Sequence, residues 1–350
     1  MVNNMMKSLQ LISPYSLRYA DTCIPDLVPG WTLLKAEAVC ICGSDIHAIK
    51  GNSLLLTYPR VLGHEICARV VKANGESRVP IGTRVAVSPY VSCGECYPCR
   101  IGRSNCCTNL QVLGVHIDGA IAEYVAVPSK NLIEVPQDMD PRIVTLIEPL
   151  AVGVHAVNRG KVCGGDDVLV LGAGPIGLCA AEAARIKGAN TILADVSAIR
   201  REFSQQRFDY HVLDVKKPDF INKLKSSCAN GDLPNVVIDA TGNAESMNNS
   251  LDYLRSAGRL VFVGLHTNNI QLSDVQFHVK EATLFASRVA LPEDFSFAIN
   301  CVSNGKIPIE RMLTHETCFD NAKADILHWV KEGPNVFKGV IMLQEESISE

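Results

Sequence analysis

Four thiols crowd one short stretch of this chain: Cys93, Cys96, Cys99 and Cys107, spaced C-x2-C-x2-C-x7-C. Thiolates at such intervals can close a tetrahedral shell around one zinc with no position left for water, which is the composition of a structural site. A second group mixes ligand types: Cys42, the adjacent pair His64 and Glu65, and Glu148. One thiolate, one imidazole and carboxylates from distant parts of a chain suit a catalytic zinc that keeps a position open for substrate. Further on, Gly172-Ala-Gly174-Pro-Ile-Gly177 has the form of a dinucleotide loop. A zinc with an open position and a dinucleotide together point to hydride transfer from an alcohol.

Taken singly, each residue has a duller explanation. An isolated Cys or His in an apolar stretch more often packs than ligates, and Glu65 could be a surface charge. Glu148 resists that account because it lies in the apolar run from Ile143 to Val154, where an unpaired carboxylate is costly to bury. The four-cysteine segment could instead be a nucleic-acid zinc ribbon, but Arg100 and Arg103 are too few basic neighbours. A redox CxxC needs one low-pKa thiol beside a helix start, and four thiols are too many for it. Cys106 could stand in for Cys107, although the C-x7-C interval favours Cys107. Cys40 is an extra thiol beside Cys42, whereas Cys67, Cys179 and Cys301 sit in apolar runs as small buried hydrophobes.

These groups need two kinds of architecture to hold them. Up to about residue 150 the chain reads as strand-rich, with β-branched runs at Arg69 to Lys72, Arg84 to Val87 and Tyr124 to Val127 between Gly, Pro and Asn turns. The texture then changes. Asp167 to Leu171 is a short apolar run, as expected of a strand buried on both faces. An Ala-rich helix over Pro175 to Lys187 follows the glycine turn, with Pro in its first turn and Gly188 at its end. Further strands are predicted at Thr191 to Asp195, Asn235 to Asp239 and Arg259 to Gly264. Strand alternating with helix implies an α/β, doubly wound parallel sheet. The last part mixes helices near Asp294 to Ser303 and Asp320 to Glu332 with a closing strand, Gly339 to Leu343. No internal repeat or low-complexity tract interrupts this order.

In the dinucleotide loop, Gly172 permits the tight turn, Gly174 lets backbone approach a pyrophosphate, and Gly177 lets helix and strand pack closely. The helix N-terminus supplies free N–H groups to the phosphates. Asp195, at the end of the next strand, could accept hydrogen bonds from a ribose diol and would repel a 2′-phosphate, so NAD is favoured over NADP. Arg200 and Arg201 pull the other way, because either could pair with that phosphate.

Composition agrees with an ordinary globular protein of two domains: 350 residues, 47 % hydrophobic and 20 % charged. A net charge of −4 with mixed signs opposes a nucleic-acid partner. There is no long apolar run to span a bilayer, and Met1 to Gln10 lacks the order of a secretion signal. Of the fourteen cysteines five are assigned to zinc, and with no such signal the rest are expected to be free in a reducing cytoplasm rather than paired as disulfides.

Several stretches together resemble the zinc-dependent medium-chain dehydrogenases: Cys42-Gly-Ser-Asp-Ile-His47, Gly63-His-Glu65, the four-cysteine lobe, Asp118 to Tyr124, Glu148-Pro-Leu150 and the glycine loop. The likeness covers nearly the whole chain. Glu148-Pro-Leu150 leans toward the sorbitol and threonine dehydrogenase branch. Tyr58 to Cys67, Gly114 to Gly119, Ile238 to Asn249, Phe262 to Leu265 and Ser273 to Glu281 look most like bacterial sugar-acid dehydrogenases of the L-galactonate type. Two departures are local: Cys40 stands where the family has glycine, and Thr83 follows Gly82 where the family has aspartate.

The resemblance implies a GroES-like catalytic domain over 1–150, completed by 291–350, and a Rossmann domain over 151–290, in a homodimer or homotetramer with two zinc ions per chain and NAD. Carried over residue by residue, Cys42, His64 and Glu148 approach the catalytic zinc, and Glu65 exchanges with water or with Glu148. Ser44 and His47 match proton-relay positions. Ile176, Asp195, Arg200, Gly264, Leu265 and Ser287 match cofactor contacts, and Arg288 matches a position near the zinc water network. The expected reaction is oxidation of a secondary alcohol of a polyol or sugar acid, with L-galactonate at C5 the leading substrate. A substrate carboxylate would call for a cation, for which Arg60, His116, Arg288 and Lys338 are candidates. The alternative of another class is a silent relative acting as a sensor or scaffold, which intact Cys42, His64, Ser44 and His47 oppose.

Overall fold

Strand Trp31–Cys40 is buried along almost its whole length, because it lies inside a sheet rather than at its edge. The computed structural model describes residues 5–53 and 55–343. Contacts divide the chain into two units, Met1–Glu148 with Met312–Glu350, and Pro149–Arg311. Among the described residues of the first unit, the main sheet runs Leu132–Glu134, Arg84–Val87, Glu65–Asn74, Trp31–Cys40, Lys338–Met342 and Leu313–Cys318, with Tyr124–Pro128 also paired to Trp31–Cys40. The strand runs anticipated after Arg69, Arg84 and Tyr124 lie within these elements. A hairpin of Met5–Ser13 and Ser16–Cys23, for which the sequence analysis has no counterpart, pairs with Arg60–Val61 in a separate sheet. Leu9, Leu11, Leu34, Val39, Ile49 and Leu62 head the core of this unit.

Register matters more than strand count. Trp31–Cys40 runs antiparallel to Glu65–Asn74 with Cys40 opposite Glu65, and antiparallel to Lys338–Met342 with Cys40 opposite Val340. One strand therefore ends where its two neighbours begin, and Cys40, Glu65 and Lys338 come to the same end of the sheet. A register shift between Ala36 and Ala38 leaves Glu37 as an extra residue against the partner strand. Its buried carboxylate accepts from Arg69 Nε at 2.6 Å and Arg84 Nε at 2.5 Å. Cys67, buried as expected, turns its thiol to the same carboxylate at 3.6 Å.

The second unit carries a parallel sheet in the order Val212–Leu213, Asn190–Ala194, Asp167–Leu171, Val236–Asp239, Arg259–Phe262 and Thr283–Ala286. In sequence order this is 3-2-1-4-5-6, the doubly wound Rossmann arrangement. Helices Pro175–Ile186 and Ala198–Phe208 make the first two crossovers. Leu169, Leu171, Ile192, Leu224, Val237 and Leu260 lie in its core. Helix Pro292–Ser303, grouped by the resemblance with the GroES-like domain, clusters with this unit instead, and the chain rejoins the first unit at Met312. The reason is local. Buried Asp294 accepts from Asn158 Nδ2 at 2.8 Å and pairs with His155 Nδ1 at 2.7 Å, which ties the helix to Ile147–Arg159.

Burial raises the carboxyl of Glu37, but Arg84 and Arg69 more than offset it and hold it below the usual 4.5. Such a depressed group stabilises the fold above that value and loses its contribution as pH falls through the lowered one. Glu37→Gln is expected to cost about 3 kcal/mol near neutral pH, by stripping two arginines of their buried partner. The difference from the unsubstituted protein should shrink with acidification below about pH 4.5, measured by urea unfolding at a series of pH values.

Candidate active site

Cys42 caps the short helix Gly43–Ile49, which starts three residues after the central strand ends. Its backbone N–H donates to Asp45 Oδ2 at 2.9 Å, so the helix N-terminus and the cysteine are locked to one buried carboxylate. The other oxygen of Asp45 lies 3.6 Å from His64 Nδ1, within ion-pair range but too long for a hydrogen bond. His64 follows Gly63, whose φ of +93° and close approach to Val39 leave no room for a side chain. Ser44 Oγ stands 3.4 Å from His64 Nε2. Glu65 begins strand Glu65–Asn74 and is wholly buried, its Oε1 accepting from Lys338 Nζ.

One ligand atom each from Cys42, His64 and Glu65 all fall within 4.8 Å of one another. Glu148, in the first turn of helix Ile147–Arg159, is buried but lies outside that set, and its Oε1 accepts from the Tyr90 hydroxyl. Whether the set suits a zinc is answered by its charges. Asp45, Glu65 and Glu148 are buried carboxyls gathered near Lys338 and His64, and burial raises the pKa of Asp45 and of Glu148. A bound cation would relieve that cost of burying their charge. His64 Nδ1 and Glu65 Oε2 are buried without a hydrogen-bond partner. Burial lowers the basicity of His64, but Asp45 and then Cys42 outweigh it, and its pKa rises well above the ordinary value. Burial likewise lowers that of Lys338 until Glu65 reverses the shift. Thiolate, imidazole and carboxylate are zinc donors, so the residues present fit the metal.

Cys40 is excluded from the set by its own surroundings. Burial, then the charge of Glu65, push its thiol up to about 12, and Thr145 Oγ1 donates to its sulfur at 3.1 Å. It stays a neutral buried thiol.

The four lobe cysteines form the second compact group. Their sulfurs lie 3.4 Å apart for Cys96 and Cys99, 3.5 Å for Cys93 and Cys107, and 3.8 Å for Cys96 and Cys107. A tetrahedron with Zn–S of about 2.3 Å sets sulfurs about 3.8 Å apart. Cys106 is exposed and outside the group, leaving Cys107 as the fourth thiol. Backbone N–H groups of Thr108 and Cys99 lower the Cys96 thiol to about 6, which readies it as a thiolate donor.

In the second unit, Gly172 turns with φ +94°, Gly174 caps helix Pro175–Ile186, and a side chain at Gly177 would sit 1.7 Å from the Gly172 carbonyl. Gly264 packs against Gly242 so closely that only glycine fits, Leu265 beside it is 81 % exposed, and Ile176 is half-buried. Ser287 Oγ is buried without a partner. Asp195 has a task the sequence analysis did not see: Oδ2 accepts from Ala173 N at 2.7 Å and Oδ1 from Ser197 N at 2.7 Å, joining the glycine loop to the next helix. Arg200 stands 3.9 Å from Asp195 and over Gly174, while Arg201 is engaged by Asp214 at 3.0 Å.

Of the four cations considered for a substrate carboxylate, Lys338 is taken by Glu65, and its burial removes it from that role. Arg60 is shared between Asp118 and Thr57, both at 3.1 Å. His116 Nδ1 accepts from Val112 N at 3.1 Å. Arg288 is exposed on the second unit. Sequence reasoning missed Tyr90 altogether and assigned no role to Asp45. A tyrosine three positions before a cysteine lobe has no signature, whereas an acidic residue three positions after a helix cap does.

Residues 28–137 match the alcohol dehydrogenase GroES-like domain, and residues 175–304 match the zinc-binding dehydrogenase domain. The chain is 44 % identical over 332 residues to L-galactonate-5-dehydrogenase of Escherichia coli K12, covering 94 % of this chain and 96 % of that protein. An alcohol dehydrogenase of Escherichia coli CFT073, solved with NADH, superposes with a TM-score of 0.89 at 31 % identity, over 97 % of this chain and all of that one. A zinc-binding dehydrogenase of Sinorhizobium meliloti 1021, solved with NADP, gives 0.86 at 30 % identity, over 97 % and 99 %.

Elemental analysis of the purified protein is expected to find two zinc ions per chain. Cys42→Ser should lose one and abolish alcohol oxidation. Cys99→Ser should lose the other and lower thermal stability, because the metal supplies the order of a lobe that has little core of its own. Retention of both ions in Cys42→Ser would contradict the assignment.

Proposed function

Because the chain belongs to the zinc-binding dehydrogenases with a GroES-like alcohol dehydrogenase domain, we propose that it oxidises a secondary hydroxyl of a sugar acid with NAD, L-galactonate at C5 being the leading substrate. What supports this reading most is the pairing of a thiol–imidazole–carboxylate set in one unit with a glycine loop and a buried acidic residue in the other. The 44 % identity to an L-galactonate dehydrogenase, over nearly the full length of both chains, supports the choice of substrate class.

Cys42, His64 and Glu65 hold the zinc, with Glu148 beside them as the second carboxylate. When bound, zinc supplies Lewis-acid stabilisation of negative charge on the carbinol oxygen, and NAD supplies the nicotinamide carbon that takes the hydride. Ser44 Oγ accepts the hydroxyl proton as it gives up its own to His47, three residues on along the same short helix, and exposed His47 releases a proton to water. Asp45 faces the ring of His64 at ion-pair distance, and Lys338 holds the carboxylate of Glu65, so that ligand does not have to be ordered when substrate arrives. Asp195 disfavours a 2′-phosphate, and the engagement of Arg201 by Asp214 removes one of the two arginines that could have welcomed it.

His116 and Arg288 stay candidates for a substrate carboxylate. Assembly as a homodimer or homotetramer belongs to the same reading, as does a cytoplasmic location. None of the fourteen cysteines is joined in a disulfide, and no described helix is long and apolar enough to cross a membrane.

Initial rates with NAD and with NADP, on a panel of sugar acids, polyols and L-threonine, test the assignment. The expected outcome is NAD-dependent turnover of a sugar acid with kcat/KM at least about tenfold above any polyol, a difference of roughly 1.4 kcal/mol in transition-state binding. Turnover of polyols alone would overturn the sugar-acid assignment. Asp195→Ala is expected to narrow the preference for NAD over NADP.

A further inference from the structure

The two buried carboxylates near Cys42 and His64 are restrained by different means. Glu65 is held by an ammonium group, that of Lys338, which compensates its charge. Glu148 is held by a phenol, which orients it and brings no compensating charge. Tyr90 is 8 % exposed and Glu148 is 6 % exposed, so water competes little for either partner. The phenol is the donor and the carboxylate the acceptor.

Thr145, three residues before Glu148, donates to the Cys40 sulfur at 3.1 Å, and Cys40 lies opposite Glu65 in the sheet. The start of the helix that carries Glu148 is thereby fixed at the sheet end that holds Glu65.

Backbone order fixes the phenol in turn. Tyr90 and Val91 pair with Val112 and Gln111, the strand contact that closes the base of the four-cysteine lobe. The Tyr90 carbonyl accepts from Asn131 Nδ2 at 3.1 Å. The helix that carries Glu148 offers it a side chain with three rotatable bonds. A rotamer-rich carboxylate of that kind needs an external contact to stay in one place.

We propose that Tyr90 is a positioning residue for the catalytic metal, its hydroxyl fixing the carboxylate of Glu148 beside Cys42, His64 and Glu65. The proposal rests on the reading that these residues hold the catalytic zinc, and its test separates the two. The protein is reconstituted with Co(II) at that site, and the visible d–d absorption is compared between the unsubstituted protein and Tyr90→Phe. Zinc release to a chelator is followed in the zinc-loaded forms.

Tyr90→Phe is expected to change the position or intensity of the bands and to speed loss of one zinc about tenfold, the scale on which outer-shell partners govern metal retention. In a Glu148→Gln background the same substitution should change neither. Bands and release rates identical in Tyr90→Phe and the unsubstituted protein would overturn the proposal while leaving the metal reading intact. Absence of site-specific bands in the unsubstituted protein would overturn both. Should Tyr90→Phe fail to fold, Glu148→Gln alone must alter the bands, and its failure to do so would overturn the proposal as well.

Discussion

Compensation of buried negative charge is the constraint on which this structure turns. Cys42, Asp45, Glu65 and Glu148 are brought together at one end of the main sheet of the first unit, where Asp45, Glu65 and Glu148 are buried. Isolated, each carboxylate would cost several kcal/mol to hold there. Every one has a dedicated partner instead: the Cys42 N–H for Asp45, Lys338 for Glu65 and Tyr90 for Glu148. Burial raises the carboxyls of Asp45 and Glu148 even so. A metal ion held by Cys42, His64 and Glu65 would supply compensation that these partners leave incomplete.

Antiparallel register explains how residues so far apart in the chain arrive there. A strand that ends where both of its neighbours begin puts three chain segments at one edge, and Cys40, Glu65 and Lys338 follow from that pairing. Gly63 supplies the turn that brings His64 to the same edge. Helix Ile147–Arg159 contributes Glu148 from its first turn, where the helix dipole also favours a carboxylate. The bulge at Glu37 serves another part of the same sheet, giving two arginines a buried partner.

The second unit works by close approach rather than by charge. Gly177 touches Gly172, Gly264 touches Gly242, and no side chain would fit at either contact. The space so kept is backbone surface, which suits phosphates held by N–H groups. Asp195 ties the glycine loop to the start of the next helix through its two carboxylate oxygens.

Much of this was legible in the chain itself. Spacing identified the four-thiol lobe, because zinc geometry restricts which intervals between cysteines can close a shell. The glycine loop and the parallel sheet around it were legible because glycine positions and apolar runs answer to local sterics. Cys42, His64 and Glu65 could be named, for their residue types carry the chemistry. Pairings between distant segments left no such mark. Lys338 looked like a cation for substrate until strand register set it against Glu65. Tyr90 gave no sign of itself, since only the folded backbone brings its hydroxyl to Glu148. Helix Pro292–Ser303 joined the second unit through Asp294. Residue type and local spacing thus determined which chemistry this chain can do. Tertiary structure decided which partner holds each charged group, because such partners are chosen by proximity across the sheet, and proximity of that kind is absent from a linear sequence.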